Sequence, residues 1–450
     1  MKHVAVIDIG KTNAKLALVE DGSLQEIAVV TRPNTVLAGP PYPHFDLEGH
    51  WDFLIRNLAA FHAQHGVDAI SVTTHGASAV LLDATGRLAA PMLDYEHGGP
   101  DDLARDYDAL RPAFAQTGSA RLPHGLNLGA QLHWLLETQA GLSDRLAHVL
   151  TYPQYWGWRL TGQMACDVCS LGCHTDLWDP WRAQFSDLVD RLGIAGKIAP
   201  PQRPDAVLGH LLPDLAAATG LSPDTPVTVG IHDSNASLYP HVLGRDGAFS
   251  VVSTGTWVVA MAVGGETPAL DPTRDVLVNV NALGAPVPSA RFMGGREFEV
   301  IRAGSTVQPD DSDRQMVLDR DIALLPTVEP GSGPFPTHQM RWTAEPGTDG
   351  ARLVALSWYL ALMTHTCLGL IGARGPVIVE GPFARNLDYL DMLSSLWPEG
   401  IEIATSATGT SVGAALLSLG AVTAPATRAV RRPDHAPALI AYAKRWQQRT

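Results

Sequence analysis

Cysteine is scarce in this chain: four residues in 450, three of them crowded into Cys166, Cys169 and Cys173 with His174 beside the last. A C-x2-C-x3-C-H run suits zinc, but a structural zinc site pairs two separated half-sites. Only Cys367 remains elsewhere, so small buried thiols are the expected state. Basic residues are also few, 32 against 46 acidic ones, for a formal charge of -14. Binding a phosphate backbone requires a basic surface, so nucleic acid is not an expected partner. Long apolar runs are missing as well. The most apolar helical stretch, Leu353 to Leu370, is interrupted by Ser357, Thr364, His365 and Thr366, and no membrane partner is expected. A strand starting at His3 leaves no room for a secretory leader, so the expected location is cytoplasmic.

What the chain does have is ordinary α/β composition, 46% hydrophobic and 17% charged, with length for two or three domains. Its most informative stretch is the first twenty residues. Val4-Ala5-Val6-Ile7 is an apolar strand ending on Asp8, Gly10-Lys11-Thr12-Asn13 is a tight polar turn, and Ala14 to Val19 returns as a strand. A carboxylate at a strand end, beside a turn rich in N–H, hydroxyl and ammonium groups, suits a metal-bound polyphosphate. Gly10-Lys11-Thr12 is not a P-loop. That motif needs a Gly where Ala5 stands and a helix where a strand follows.

The pattern recurs. Phe249 to Val252 is a strand, Ser253-Thr254-Gly255-Thr256 a polar Gly turn, and Trp257 to Val263 a strand again, a weak internal repeat. Trp51 to Phe61 carries the apolar stripe of a helix ending near Gly66, and Ala69 to Thr73 is a strand leading into His75-Gly76. Pro226 to Ile231 reads as one strand delivering His232-Asp233. Pro376 to Glu380 is a strand entering Gly381-Pro382-Phe383-Ala384-Arg385-Asn386, then a helix marked by Leu387, Leu390, Leu393 and Leu396. Gly409 to Leu419 reads as a small-residue helix, and residues 94–187 look irregular. The expected division is 1–240 and 241–450, with a phosphate-type hairpin opening each part.

This order of elements resembles the FGGY family of carbohydrate kinases, within the actin-like ATPase superfold. The resemblance covers nearly the whole chain and implies two actin-like (ribonuclease H-like) α/β domains with a nucleotide cleft between them. It implies ATP-dependent phosphorylation of a sugar hydroxyl, with Mg²⁺. Asp8, Gly10, Lys11, Thr12, Asn13 and Lys15 resemble the first phosphate motif, Gly255 and Thr256 the second, and Gly381, Phe383 and Asn386 the adenosine turn. Asp233 resembles the catalytic base. Asp8, through water, and Asp233 are the implied metal contacts. His75, Gly76, Asp94, Tyr95 and Glu96 fall where the family's sugar contacts lie, with His232 and Asp233 beside them. Lys-Thr-Asn after Gly10 and a His before the base are similar to the fuculokinase and rhamnulokinase branches. L-fuculose or L-rhamnulose is therefore the expected acceptor, with a pentulose (xylulose or ribulose) or a polyol as alternative. An actin-like ATPase of another class and a catalytically silent sugar sensor stay open, as does a homodimer.

Two departures stand out. Gly381-Pro382-Phe383 replaces the family's consecutive glycines, and the Cys166–Cys173 segment departs from its usual Asp/Thr/Ser-rich pattern. Phe383 is expected to stack on the purine; crowding the nucleotide and pointing into the core are the other readings. His232 either bonds a sugar hydroxyl or packs locally. Trp156 and Trp158 either face the sugar or belong to the core.

Overall fold

The computed structural model describes residues 2–405, 409–420 and 425–450. The chain forms two compact units. The first runs to Arg245 and adds two later segments, Val278–Pro286 and the stretch carrying the Thr410–Leu419 helix. The second takes the remainder.

In the first unit the sheet runs Val207–His210, Pro226–Thr228, Ala69–Thr74, His3–Ile9, Asn13–Glu20, Glu26–Pro33. His3–Ile9 is its axis, parallel to Ala69–Thr74 and antiparallel to Asn13–Glu20. Six of its seven residues are buried, which explains why it reads as a continuous apolar run instead of an alternating one. The Leu47–His65 helix starts at Asp46, whose carboxylate accepts from Gly49 N, and stops at Gly66 with φ +77.

The expected strand from Pro226 to Ile231 is broken. Gly230, at φ +92, kinks the backbone and splits it into Pro226–Thr228 and Ile231–His232, both paired with Ala69–Thr74. Asp233 then opens the Asp233–Gly244 helix instead of closing a strand. Residues 94–187 hold short helices, the longest of them Leu128–Thr138 and Tyr152–Thr161, over a buried aromatic core. Trp156 is fully buried there, stacked on Trp51 at 6.4 Å, so it is a core residue and not a sugar platform.

In the second unit the same topology returns. Phe249–Thr254 pairs antiparallel with Val258–Val263 and parallel with Val377–Glu380, and Val258–Val263 pairs antiparallel with Pro286–Phe292. The internal repeat is thus a repeat of sheet topology. Beneath it runs Asp349–Leu370, a helix long and apolar enough by composition to cross a membrane. Here it is the core helix: Trp358, Tyr359, Leu360 and Met363 are all essentially inaccessible.

Candidate active site

The first hairpin is closed by Gly10 N donating to Asn13 O at 2.9 Å, and its turn is pinned by the Asn34 amide on Gly10 O at 2.8 Å. Thr12 and Asn13 stand exposed at the tip. Asp8 and Lys15 are direct cross-strand partners, so their side chains share a face, and Lys15 Nζ lies 3.1 Å from Asp8 Oδ2. Glu26 meets the same ammonium at 3.1 Å. Burial alone would lower the Lys15 pKa, but the two carboxylates raise it and keep the charge.

What completes this site comes from about four hundred residues further along the chain. Thr410 Oγ1 and Ser411 Oγ, at the start of the Thr410–Leu419 helix, donate to Asp8 Oδ2 at 2.5 and 3.0 Å. Three donors thus converge on one carboxylate oxygen, leaving Oδ1 to accept from elsewhere. Such a carboxylate fits a hydrated Mg²⁺, which keeps several waters and uses few protein ligands. Among the described residues no three His, Cys, Asp or Glu side chains are grouped as a metal cage.

Lys11 departs from expectation. Its ammonium turns away from the phosphate turn and pairs with Asp94, and with Glu96 Oε2 at 3.1 Å. It also lies over the rings of Tyr95, at 4.6 Å, and Phe45, at 5.1 Å. Two carboxylates and two aromatic faces draw it to the loop of residues 94–96.

That loop adjoins the His75–Asp233 region. Tyr95 meets His75 edge-on at 5.3 Å, and Phe45 lies 5.1 Å from the same ring. His75 Nδ1 faces the carbonyl of Gly76 at 3.0 Å, which assigns the proton to Nδ1. Its Nε2 is then an acceptor, buried and without a partner among the described residues. Burial lowers the His75 pKa to about 4, so the ring is neutral. Gly76 is required for close approach: a Cβ there would sit 2.8 Å from His232 Nε2. His232 Nε2 in turn lies 3.1 Å from Asp233 Oδ1, and Asn235 faces its Nδ1 at 3.3 Å.

Burial works against charge on both His232 and Asp233, yet their charged neighbours prevail. Cys173 first, and Asp233 after it, raise the His232 pKa well above its usual value, while His232 lowers that of Asp233. Asp233 is therefore an anchored carboxylate, its Oδ1 also accepting from Ser234 N at 2.6 Å, with its side chain 28% exposed. Cys166, Cys169 and Cys173 are all buried free thiols. Burial would raise the Cys173 pKa, but His174 and His232 draw it down to about 5. The cysteine cluster thus backs the Asp233 site.

The helix bearing Asp233 leans on the Thr410–Leu419 helix through Gly413, where a Cβ would fall 1.7 Å from Ala236 O. Gly413→Ala must push the two helices apart, at a cost of about 1–3 kcal/mol for overpacking, or more against rigid backbone. Chemical denaturation should record the loss; unchanged stability would refute this packing role.

In the second unit, the Gly255 turn is closed by Gly255 N on Trp257 O at 2.9 Å, and Gly295 N donates to Thr256 O at 3.2 Å. Gly381, at φ +83, packs on the strand end below that turn: a Cβ would come within 2.0 Å of Thr254 O. The two glycine turns predicted far apart in sequence are therefore neighbours. Beside them opens a cavity of about 500 Å³ whose lining includes Phe298, Arg302, Gln308, Ser357, Arg385 and Asn386. The Asn386 side chain lines it while capping the Leu387–Leu396 helix and donating to Ser357 Oγ at 2.9 Å.

Phe383 is not on that surface. Its ring is 5% exposed and packs against Tyr389 at 5.3 Å and Phe298 at 5.9 Å. The Pro382–Arg385 turn of 3-10 helix directs it inward, so base stacking by Phe383 is corrected to a core role. The aromatic ring that does face the cavity is Phe298, with the Arg302 guanidinium 5.7 Å from its centre.

Comparison with known proteins covers nearly the whole chain. Residues 3–239 match the N-terminal domain of the FGGY family of carbohydrate kinases, and residues 246–428 match the carbohydrate kinase FGGY C-terminal domain. An L-fuculokinase of Salmonella typhi is 25% identical over 275 residues, 58% of this chain and 57% of that enzyme, so the chain spans little more than half of that curated relative. The crystal structure of a carbohydrate kinase from Novosphingobium aromaticivorans superposes with TM-score 0.92 at 38% identity, covering 99% of both chains. A ligand-bound xylulose kinase from Lactobacillus acidophilus shares the fold, with TM-score 0.80 at 14% identity over 100% of this chain and 97% of that one.

Proposed function

Because this chain belongs to the FGGY family of carbohydrate kinases, we propose that it transfers the γ-phosphoryl group of ATP to a sugar hydroxyl, on a ketose of the L-fuculose or L-rhamnulose kind. The observation that carries the reading is His75. A neutral imidazole with a buried, unpartnered acceptor nitrogen stands in one continuous wall with the anchored carboxylate of Asp233. Burying such a group unpaired is costly unless a ligand hydroxyl satisfies it.

On this reading His75 Nε2 accepts one acceptor hydroxyl and fixes the sugar's orientation. Asp233 takes the proton of the attacking hydroxyl, its carboxylate aimed by His232 and Ser234 N. His232 serves this aim and does not itself hold the sugar. Lys15 balances charge developing on the transferred phosphoryl group, and the exposed turn at Thr12–Asn13 supplies N–H donors. Asp8 would hold Mg²⁺ through water, and the ion would supply neutralisation of phosphate charge. The nucleoside occupies the cavity beside Phe298.

The test is a coupled ADP-release screen of the full chain across 6-deoxyketohexoses, xylulose, ribulose and polyols. Sugar-dependent ADP release with L-fuculose or L-rhamnulose preferred is the expected result. Preference for a pentulose or polyol would replace the named acceptor. ATP turnover indifferent to every sugar would overturn the kinase reading itself.

A further inference from the structure

Lys11 has left the phosphate turn for an acidic neighbourhood. Its single positive charge is shared between Asp94 and Glu96, whose side chains are 10% and 63% exposed. Through Tyr95 and Phe45 the ammonium abuts His75, and from His75 the wall continues by Gly76 to His232 and Asp233. Along that wall three carboxylates face two cationic side chains. Lys11 is already over-neutralised and has no net positive charge to offer an anion.

We propose that Lys11 is a specificity-determining residue of the acceptor site: it holds the Asp94–Tyr95–Glu96 loop against His75 and shapes the site for an uncharged polyol or ketose, excluding sugar acids. The inference rests on reading this wall as the acceptor site. Lys11 makes the loop possible, since Asp94 and Glu96 would repel each other without the cation between them. The loop positions Tyr95 over His75, whose free nitrogen awaits a hydroxyl. A carboxylate on the acceptor would meet the excess negative charge of Asp94 and Glu96, two carboxylates that share the one cation of Lys11, and like-charge juxtaposition of this kind discriminates strongly.

Binding, not turnover, tests the proposal, which keeps it separable from the kinase reading. Thermal shift and calorimetry on the full chain would compare ketoses and five- and six-carbon alditols with the aldonates of the same skeletons, and ATP alone. A neutral compound is expected to bind at least about 100-fold more tightly than its aldonate, as repulsion across a recognition site implies. Lys11→Met should weaken neutral-acceptor binding by roughly 10-fold and leave ATP binding nearly unchanged, because the lost partner strands two carboxylates. Lys11→Arg should retain acceptor binding.

If Lys11→Met does not fold, Glu96→Gln decides, since that side chain is largely exposed. Freeing Lys11 of one carboxylate should improve aldonate binding by about fivefold, the scale of a partly exposed ion pair. Weakened ATP binding with intact acceptor binding in Lys11→Met would return Lys11 to the phosphate and overturn the proposal. Aldonates bound as well as neutral sugars, no binding by either class, or no response in Glu96→Gln would overturn it equally.

Discussion

Asp233→Asn is expected to fold, to bind acceptor and ATP as before, and to lose roughly 10²–10⁴ in kcat, the range for removing a general base. The amide preserves shape. Its oxygen can still accept from Ser234 N, which lies 2.6 Å from Oδ1, and from the His232 ring at 3.1 Å. What disappears is one of the two negative charges that favour the protonated form of His232, and the basic oxygen that takes the hydroxyl proton. Single-turnover kinetics at saturating acceptor isolate this step from binding. If kcat stays near the wild-type value, the proton leaves by another route and Asp233 is a helix-terminal residue only.

The second large effect is on stability. Phe383→Ala is expected to cost about 3–5 kcal/mol of unfolding free energy, as for other buried phenylalanines, while the ATP Kd changes by no more than about twofold. The ring is buried between Tyr389 and Phe298, so its removal leaves a void behind the cavity that Phe298 lines, not an opening in it. Phe298→Ala should do the reverse, weakening ATP by roughly 5- to 100-fold, which matches about 1–3 kcal/mol of base–aromatic stacking. Denaturant melts and nucleotide titration of both variants separate the roles. A stable Phe383→Ala with weak ATP binding would restore Phe383 as the stacking ring.

Both hairpins were legible in the sequence because each is a strand, a glycine turn and a strand, and the pattern is local. The same holds for the Leu47–His65 helix, whose stripe and terminal glycine lie within one window. Gly230 was harder to read. A glycine within an apolar run signals a bulge only once its close approach to Val72 is known. Lys11 and Phe383 misled for a shared reason: position in a turn does not fix the direction of a long or bulky side chain, which goes where partners or apolar contacts lie. Thr410 and Ser411 were invisible as site residues because their acceptor, Asp8, is about four hundred positions away.

That last contact has a consequence for how the protein is made. Asp8 leaves the ribosome 402 residues before Thr410 does. At about 5–20 residues per second, the interval is roughly 20–80 s. Throughout it, the nascent first unit lacks the helix that covers Ala69–Thr74 and Asp233–Gly244, and Ser71 lacks its acceptor at Ala414 O. The unit that emerges first is therefore completed only shortly before the chain ends. A translating cell must shield its exposed apolar seam until nearly the whole message has been read.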